Sequence, residues 1–236
     1  MIDKKIHYCW FGGKKIPKEV KKCIKTWKEK CPDYEIIRWD ETNFDINCNE
    51  FVKEAYKSKA WAFVSDYARL KIIYENGGIY LDTDVELLKN LDFLLEKDFF
   101  IGTQQGGKLY NTGLGFGAVK EHYIVKKMMD KYENLIFDIE KKEKIACPNL
   151  NDSVLKKIGF ISADTVQEID NCFVYPSKYF DPFAPGKSDN LLCDDTISIH
   201  HYNASWTSMN NRIKRKIFNF IGLDKVNKLK KIIKNR

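Results

Sequence analysis

Two aspartates two residues apart, Asp82 and Asp84, are the residues of this sequence best suited to chemistry. They follow an apolar segment, residues 79–81, whose pattern predicts a short buried strand. Because side chains two apart in a strand point the same way, both carboxylates are expected on one side, at a strand end where α/β sheets form ligand clefts. Such a pair favours Mg²⁺ or Mn²⁺, ions that commonly also bind substrate phosphates. A solvated turn is the alternative interpretation.

A predicted helix over residues 60–75 precedes this strand and carries a second polar group. Ser65, Asp66 and Arg69 are three and four residues apart, so their side chains share one surface of that helix. The surrounding residues are mostly apolar, which favours recognition of several hydroxyl groups, as in a sugar. A surface ion pair of about 0 to 1 kcal/mol is the alternative. The glycine pair Gly77-Gly78 then predicts a left-handed stop.

The elements that must position these residues follow an α/β pattern. Alternation over residues 6–10 predicts a strand, Pro17 begins a helix, and residues 34–39 predict a second strand, so a parallel pair with a helical crossover is expected. Further strands are predicted at 98–102, 112–118, 172–175 and 196–202, and further helices at 51–56, 123–132 and 152–158. The alternating glycines from Gly113 to Gly117 lack the spacing of a dinucleotide-binding loop and predict a closely packed strand.

Composition narrows the class of protein. The chain has 236 residues, enough for one large domain with a substantial core. Its seven cysteines include no CxxC pair, so neither a disulfide framework nor a zinc site is predicted, and a reducing cytoplasm is expected. The N-terminus lacks the apolar core of a signal peptide, and no apolar run approaches the length of a bilayer span. We therefore expect a body that is neither secreted nor integral to a membrane.

The positive charge is concentrated at the C-terminus. Residues 212–236 hold ten Lys or Arg and one acid, a charge of +9, whereas the whole chain carries +7, so residues 1–211 carry 7 − 9 = −2. This distribution argues against a nucleic-acid-binding surface over the whole protein. Apolar residues interleave the basic ones, so we expect an amphipathic helical tail that binds anionic lipid. A helix packed on the domain with a solvated basic face is the alternative.

Four segments together resemble a known family: IHYCWFGG, WAFVSDYARLKIIYENGGIYLDTDVELL, NTGLGFGA and HHYNASW. They are similar to the DXD-containing sugar-binding-region glycosyltransferases of family 32, which include capsular polysaccharide transferases and relatives of the initiating mannosyltransferase, and which are distantly related to the clostridial glucosylating toxins. The resemblance covers about residues 4–206. It implies a GT-A fold, a single mixed central sheet flanked by helices, with residues 1–211 as the glycosyltransferase domain and 212–236 as the basic helical tail.

The resemblance also implies roles for individual residues. Asp84 and Asp82 would serve the metal, Asp84 as a direct ligand, while Asp66 and Arg69 would hold hydroxyls of the donor sugar beside Ser65. The nucleotide would be contacted by residues from several segments: Trp10 on the base, Tyr80 near the donor, Asn111 in the cleft, and His201, Ser205 and Trp206 near the diphosphate. Only one histidine of the pair can face the site in a strand, and the resemblance favours His201 over His200 as a metal ligand.

The resemblance implies a retaining, metal-dependent transfer of a hexose from a UDP- or GDP-sugar to a glycan. The cofactor would be Mn²⁺ or Mg²⁺. The acceptor is expected to be lipid-linked, in capsular or surface polysaccharide synthesis, with the enzyme cytoplasmic and peripheral on the inner face of the membrane. The alternatives are an inactive protein that binds sugar nucleotide or carbohydrate, and an effector that glycosylates a protein.

Overall fold

The computed structural model describes residues 1–184 and 189–202 of the chain. Nine strands occur in these residues: β1 Lys5–Cys9, β2 Glu35–Trp39, β3 Gly78–Tyr80, β4 Val85–Leu87, β5 Phe99–Gly102, β6 Phe116–Ala118, β7 Gln167–Ile169, β8 Cys172–Tyr175 and β9 Ser198–His200. The α-helices in the same residues are α1 Lys18–Lys30, α2 Glu50–Lys57, α3 Trp61–Asn76, α4 Tyr123–Asp130, α5 Lys142–Ile145, α6 Cys147–Ile158 and α7 Ser177–Phe180.

Seven of the strands form a mixed central sheet in the order β2-β1-β3-β6-β5-β8-β7. Strands β2, β1 and β3 are parallel, whereas β6 runs antiparallel to both β3 and β5. The carboxyl ends of β1 and β3 therefore meet the amino end of β6 at one edge of the sheet. The two remaining strands, β4 and β9, pair antiparallel in a small separate sheet beside that edge.

The predicted mixed sheet flanked by helices is confirmed, with differences at individual elements. The strand predicted at 112–118 is shorter, because residues 111–114 form a turn and only Phe116–Ala118 pairs with β3 and β5. The helix predicted at 152–158 begins five residues earlier, at Cys147, with Pro148 in its first turn. Strands β4 and β7 were not predicted, since three residues are too few for a reliable alternation.

The junction between α3 and β3 depends on both glycines. Gly77 ends the helix with a φ of 65°, and its N–H donates to the carbonyl of Ile73. Gly78 has a φ of 95°, and a Cβ there would lie 2.9 Å from the His7 ring. His7 is buried between Gly77 and Trp39, hydrogen-bonded to both, and burial lowers the pKa of its imidazole to about 4. The glycine pair thus lets β3 start with only Gly77 between it and the helix.

Apolar side chains cover both faces of the sheet. One cluster joins helices α2, α3, α4 and α6 to one face, and the other joins α1, β4 and the loop after β4 to the opposite face. Trp27 of α1 is fully buried, and its indole N–H donates to the Val85 carbonyl at 2.7 Å, which ties β4 to α1. All seven cysteines are free thiols. No helix in the described part of the chain is both long and apolar enough to cross a bilayer.

Candidate active site

Arg69 is the centre of the polar group on α3. Its guanidinium lies 3.1 Å from the Asp66 carboxylate and 3.2 Å from the Asp82 carboxylate, and only 5% of its side chain is exposed. The Nε of Arg69 also donates to the Ser65 carbonyl. The guanidinium stacks on the ring of Tyr80, 4.9 Å from its centroid. Arg69 is therefore held from every side, and it joins the helix to the aspartates that follow β3.

Asp82 and Asp84 lie on the turn between β3 and β4. The prediction that a strand carries them was wrong, because β3 ends at Tyr80 and the Val85 N–H donates to the Asp82 carbonyl across the turn. Their carboxylates nevertheless converge, so the predicted outcome holds for a different reason. The hydroxyl of Tyr80 donates to Asp82 at 3.1 Å, and this hydrogen bond holds the Asp82 carboxylate in place.

His200, and not His201, joins the two aspartates. Its Nε2 lies 3.1 Å from Asp84 and 4.0 Å from Asp82, and its side chain is 8% exposed. His201 faces the other side of β9, where it pairs with Glu86 at 2.7 Å and is 38% exposed. Alternation along β9 explains the difference, since β4 pairs Val85 with His200 and thereby brings that residue beside the turn. The predicted assignment of His201 as a metal and diphosphate ligand is thus corrected.

Asp82, Asp84 and His200 could hold a metal ion together. One ligand atom from each lies within 4.8 Å of the others. Two carboxylate oxygens and one imidazole nitrogen suit Mn²⁺ well, and Mg²⁺ through the oxygens. The burial of Asp84 and His200, with the like charges of Asp82 and Asp84 brought close, also favours a cation between them. The residues therefore fit the divalent ion that the sequence predicts.

Opposing effects act on the protonation of this group. Burial raises the pKa of Asp82, with Arg69 and His200 acting against that rise. Burial alone would lower the pKa of His200, but the charges of Asp84, Asp82 and Asp181 outweigh it, so the pKa of the imidazole is raised. The protonated imidazole therefore places a positive charge against the two carboxylates.

Asp66 lies beside the N-terminus of α6. Both the backbone N–H and the thiol of Cys147 donate to the Asp66 carboxylate, and burial raises the pKa of Asp66 to about 6. The Cys147 sulfur also contacts the Thr112 hydroxyl at 3.2 Å, and that hydroxyl accepts from Arg69 at 3.4 Å. A ring of polar contacts therefore joins Asp66, Arg69, Thr112 and Cys147. It fixes the Asp66 carboxylate where it lines the cleft.

The cleft has two adjoining parts that share Ala62, Arg69, Asp82 and Asp84. The first part is aromatic and is lined by Trp10, Phe11, Lys14, Trp61, Ser65 and Tyr80 as well. The second part adds Asp66, Asn111, Cys147, Pro148, His200 and Tyr202. The carboxylates thus stand between an aromatic wall and a polar one. This division suits a ligand with a flat ring at one end and hydroxyl groups at the other.

Residue 113 must be a glycine because neighbouring side chains come too close to leave room for a Cβ. A Cβ on this residue would overlap the Asp82 carboxylate and lie 3.0 Å from the Arg69 guanidinium. The Gly113 N–H donates to the Asn111 side chain at 2.8 Å, so Asn111 closes the turn as well as lining the cleft. The predicted close packing of the glycine-rich segment is therefore found at the active site. At Gly113 the segment packs against the side chains of Asp82, Arg69 and Asn111.

The structure brings together most of the residues singled out from the sequence. Asp66, Arg69, Asp82, Asp84, Trp10, Ser65, Tyr80 and Asn111 all line the cleft. The indole N–H of Trp10 donates to the Lys14 carbonyl, which fixes its ring at the cleft edge. Ser205 and Trp206 lie outside the described residues, as does the tail at 212–236.

Cys147, Pro148 and Tyr202 line the cleft but were not predicted. Pro148 in a helical first turn is a signal that could have located the start of α6 and hence Cys147. Tyr202 lies beside the histidine pair, which could have drawn notice to it.

Comparison with known proteins identifies the class of this site. The family described as "Glycosyltransferase sugar-binding region containing DXD motif" matches residues 17–101, which include Asp66, Arg69, Asp82 and Asp84. Residues 17–101 are thus similar to the sugar-binding region of glycosyltransferases. The chain is also similar to the mimivirus protein "Uncharacterized glycosyltransferase L373" from Acanthamoeba polyphaga mimivirus, at 26% identity over 221 residues, 87% of this chain and 84% of that protein.

Two further similarities concern shorter parts of the chain. "Subversion of eukaryotic traffic protein A" from Legionella pneumophila is 32% identical over 111 residues, which are 36% of this chain and only 17% of that protein. The solved structure "PaToxG Glycosyltransferase" superposes with a TM-score of 0.52 at 18% identity, over 67% of this chain and 70% of that one. The second similarity confirms the expected GT-A fold for the glycosyltransferase domain.

Proposed function

We propose that the protein transfers a hexose from a nucleotide-diphosphate sugar to a glycan, with Mn²⁺ or Mg²⁺ bound by Asp82, Asp84 and His200. The observation that carries the proposal is the convergence of these three residues with Arg69 and Asp66 in one cleft. A divalent cation bound there would supply Lewis-acid stabilisation of the departing nucleotide diphosphate. That charge is the one a glycosyl transfer most needs to stabilise.

The two parts of the cleft fit the two halves of such a donor. Trp10 and Trp61 offer aromatic surface for the base, on one side of the carboxylates. Asp66 and Asn111, on the other side, offer acceptors for sugar hydroxyls. Arg69 holds Asp66 and Asp82 at fixed separation, so the sugar end and the diphosphate end of the donor are positioned by one side chain.

The finer parts of the proposal concern stereochemistry, acceptor and location. A retaining outcome follows the resemblance of the motifs described above. A lipid-linked acceptor in capsular or surface polysaccharide synthesis agrees with the +9 charge of residues 212–236, which would bring the enzyme to the anionic inner face of a membrane. Binding of the full chain to phosphatidylglycerol vesicles should be lost when residues 212–236 are deleted. Binding that persisted after the deletion would contradict the role of the tail.

A panel of UDP- and GDP-sugars tests the central proposal. The wild-type chain is incubated with each donor, Mn²⁺ and a lipid extract, and nucleotide release is scored. We expect release from one donor class, and its loss in Asp84→Ala. Glu86→Gln is the matched control, because this acid is two residues away but pairs with His201 outside the cleft. Equal release by wild type and Asp84→Ala would refute the assigned metal site, and binding of donor without any release would favour an inactive binding protein.

Transfer to a protein acceptor is the second candidate. It is favoured by the similarity to the Legionella protein, whose name ascribes to it a subversion of eukaryotic traffic, although this chain spans 17% of that protein. The two candidates differ in product. A labelled donor sugar incorporated into a lipid fraction supports the first, and label incorporated into protein supports the second.

A further inference from the structure

Three buried polar atoms beside the candidate metal site have no hydrogen-bond partner among the described residues. They are Nδ1 of His200, Oγ of Ser198 and Oδ1 of Asp181. Unpartnered buried atoms of this kind are uncommon, because each retains the full cost of losing its water. Three of them on two packed elements, β9 and the end of α7, point to a shared partner.

Asp181 is the acid of this group of three residues, and it is fully buried. It is 0% exposed, and its other oxygen, Oδ2, accepts from the Gln105 N–H and from the Tyr202 hydroxyl, each at 2.9 Å. Two donors therefore fix one oxygen of this carboxylate. The second oxygen is left to act on something else.

Tyr202 contacts both His200 and the Asp181 carboxylate. The ring of Tyr202, whose hydroxyl holds Asp181, is 4.1 Å from the ring of His200 between centroids. Ser198 and His200 are two residues apart on β9 and so point to the same side of the strand. The Ile197 N–H just before β9 donates to the Tyr179 carbonyl of α7 at 2.8 Å, which keeps the two elements in register.

The orientation of the His200 ring decides what Nδ1 can do. Nε2 faces Asp84 and Asp82, so Nδ1 faces away from the carboxylates and toward the interior. Burial raises the pKa of Asp181, and the His200 charge acts against that rise, so the two side chains interact electrostatically. A ligating imidazole usually donates its second ring N–H to a carboxylate or water, which orients the ring.

We propose that Asp181 is the positioning residue for His200, acting through one buried water that accepts from Nδ1 of His200, donates to Oδ1 of Asp181 and contacts Oγ of Ser198. This inference rests on the proposed function, since it assigns His200 to the metal. Three polar partners are the usual number for a buried water. The arrangement keeps Nδ1 protonated and Nε2 free to bind the cation.

Mn²⁺ binding to the full-length protein tests the proposal without any donor or acceptor. Free Mn²⁺ is measured by electron paramagnetic resonance for wild type and for Asp181→Asn, Ser198→Ala, Tyr202→Phe and His200→Gln. We expect Asp181→Asn to weaken Mn²⁺ binding about 10- to 100-fold, and Tyr202→Phe and Ser198→Ala to weaken it several-fold. Asp195→Asn is the matched control, because Asp195 pairs with the exposed Lys178 of α7 and should leave Mn²⁺ affinity unchanged.

A second measurement reports on the imidazole itself. In ¹⁵N-histidine-labelled protein with Zn²⁺, which is diamagnetic, the Nδ1 proton of His200 should give a downfield, slowly exchanging resonance. The protein has only four histidines, so His200→Gln assigns that signal. We expect the signal to be lost or to move upfield in Asp181→Asn but not in Asp195→Asn.

The outcomes separate this inference from the proposed function. Unchanged Mn²⁺ affinity in His200→Gln would refute the metal site itself. Loss in His200→Gln with wild-type affinity in Asp181→Asn would refute the role of Asp181 alone. If Asp181→Asn does not fold, Tyr202→Phe decides, because it releases Oδ2 and keeps the ring against His200, and unchanged Mn²⁺ affinity in that variant would overturn the inference.

Discussion

The two faces of the turn from Asp82 to Glu86 use the same residue types for different ends. On the inner face Asp82 and Asp84 meet His200, and on the outer face Glu86 meets His201. The inner histidine is 8% exposed and the outer one 38%. Only the acid–histidine pair that is buried and joined by further charged groups is therefore suited to metal binding or catalysis. Sequence adjacency alone does not distinguish the two pairs.

Arg69 is the group that the outer face lacks. It is almost fully buried between Asp66 and Asp82, and it balances charges that water would otherwise solvate. The outer pair is partly solvated on both sides and needs no such counterion. Because the charged residues of the inner face are buried, the loss of one destabilises the others. Either partner of an exposed pair can be lost at little cost in folding stability.

The largest effect expected from this difference is on stability. Arg69→Ala leaves two carboxylates buried without their cation, so we expect the free energy of unfolding at pH 8 to fall by about 3 to 5 kcal/mol. The pKa of Asp66 and that of Asp82 are already raised by burial, so these groups stabilise the fold when protonated, and the loss in the variant should shrink as pH falls toward 5. Urea denaturation at both pH values measures this.

His201→Ala provides the comparison on the outer face. Breaking its exposed pair with Glu86 should change the free energy of unfolding by about 1 kcal/mol or less. If the two variants lost similar stability at pH 8, burial would not be the cause of the difference between the faces.

The next effect is on metal binding. His200→Gln removes a buried nitrogen from the group of three, so we expect Mn²⁺ affinity to fall about 100-fold, a change of about 2.7 kcal/mol. His201→Gln should bind Mn²⁺ like the wild type, because its ring pairs with Glu86 away from the cleft. Competition with a fluorescent Mn²⁺ chelator measures both. The reverse order of the two affinities would restore the original assignment of His201.

The sequence predicts a region well where the residues in contact are close together in the chain, and poorly where they are far apart in the chain. The segment from Trp61 to Asp84 was predicted well because helix period, glycine stop and strand lie within one continuous stretch. The group of Asp66 and Arg69 needed only helical spacing. The convergence of Asp82 and Asp84 was also predicted, although the turn and not a strand produces it.

The choice between His200 and His201 depended on a pairing that the sequence does not show. Strand β9 is three residues long and pairs with β4, which is equally short, so neither gave a usable alternation. A shift of one residue in that register would exchange the two histidines. Cys147 was missed for a related reason, since α6 reaches Asp66 from about eighty residues away in sequence.

The smallest expected effect is on the pH dependence of donor use, and it concerns Asp66. Since the pKa of Asp66 is raised to about 6, the carboxylate that accepts sugar hydroxyls is mostly ionised at pH 7.5 and mostly protonated at pH 5. We expect kcat/KM for the donor at saturating Mn²⁺ to fall about fivefold between pH 6 and pH 5 through this group. Other groups of the inner face titrate too, so Asp66→Asn is measured in parallel. The ratio of wild type to variant isolates Asp66, and a ratio that stayed constant from pH 8 to pH 5 would show that its ionisation does not govern donor recognition.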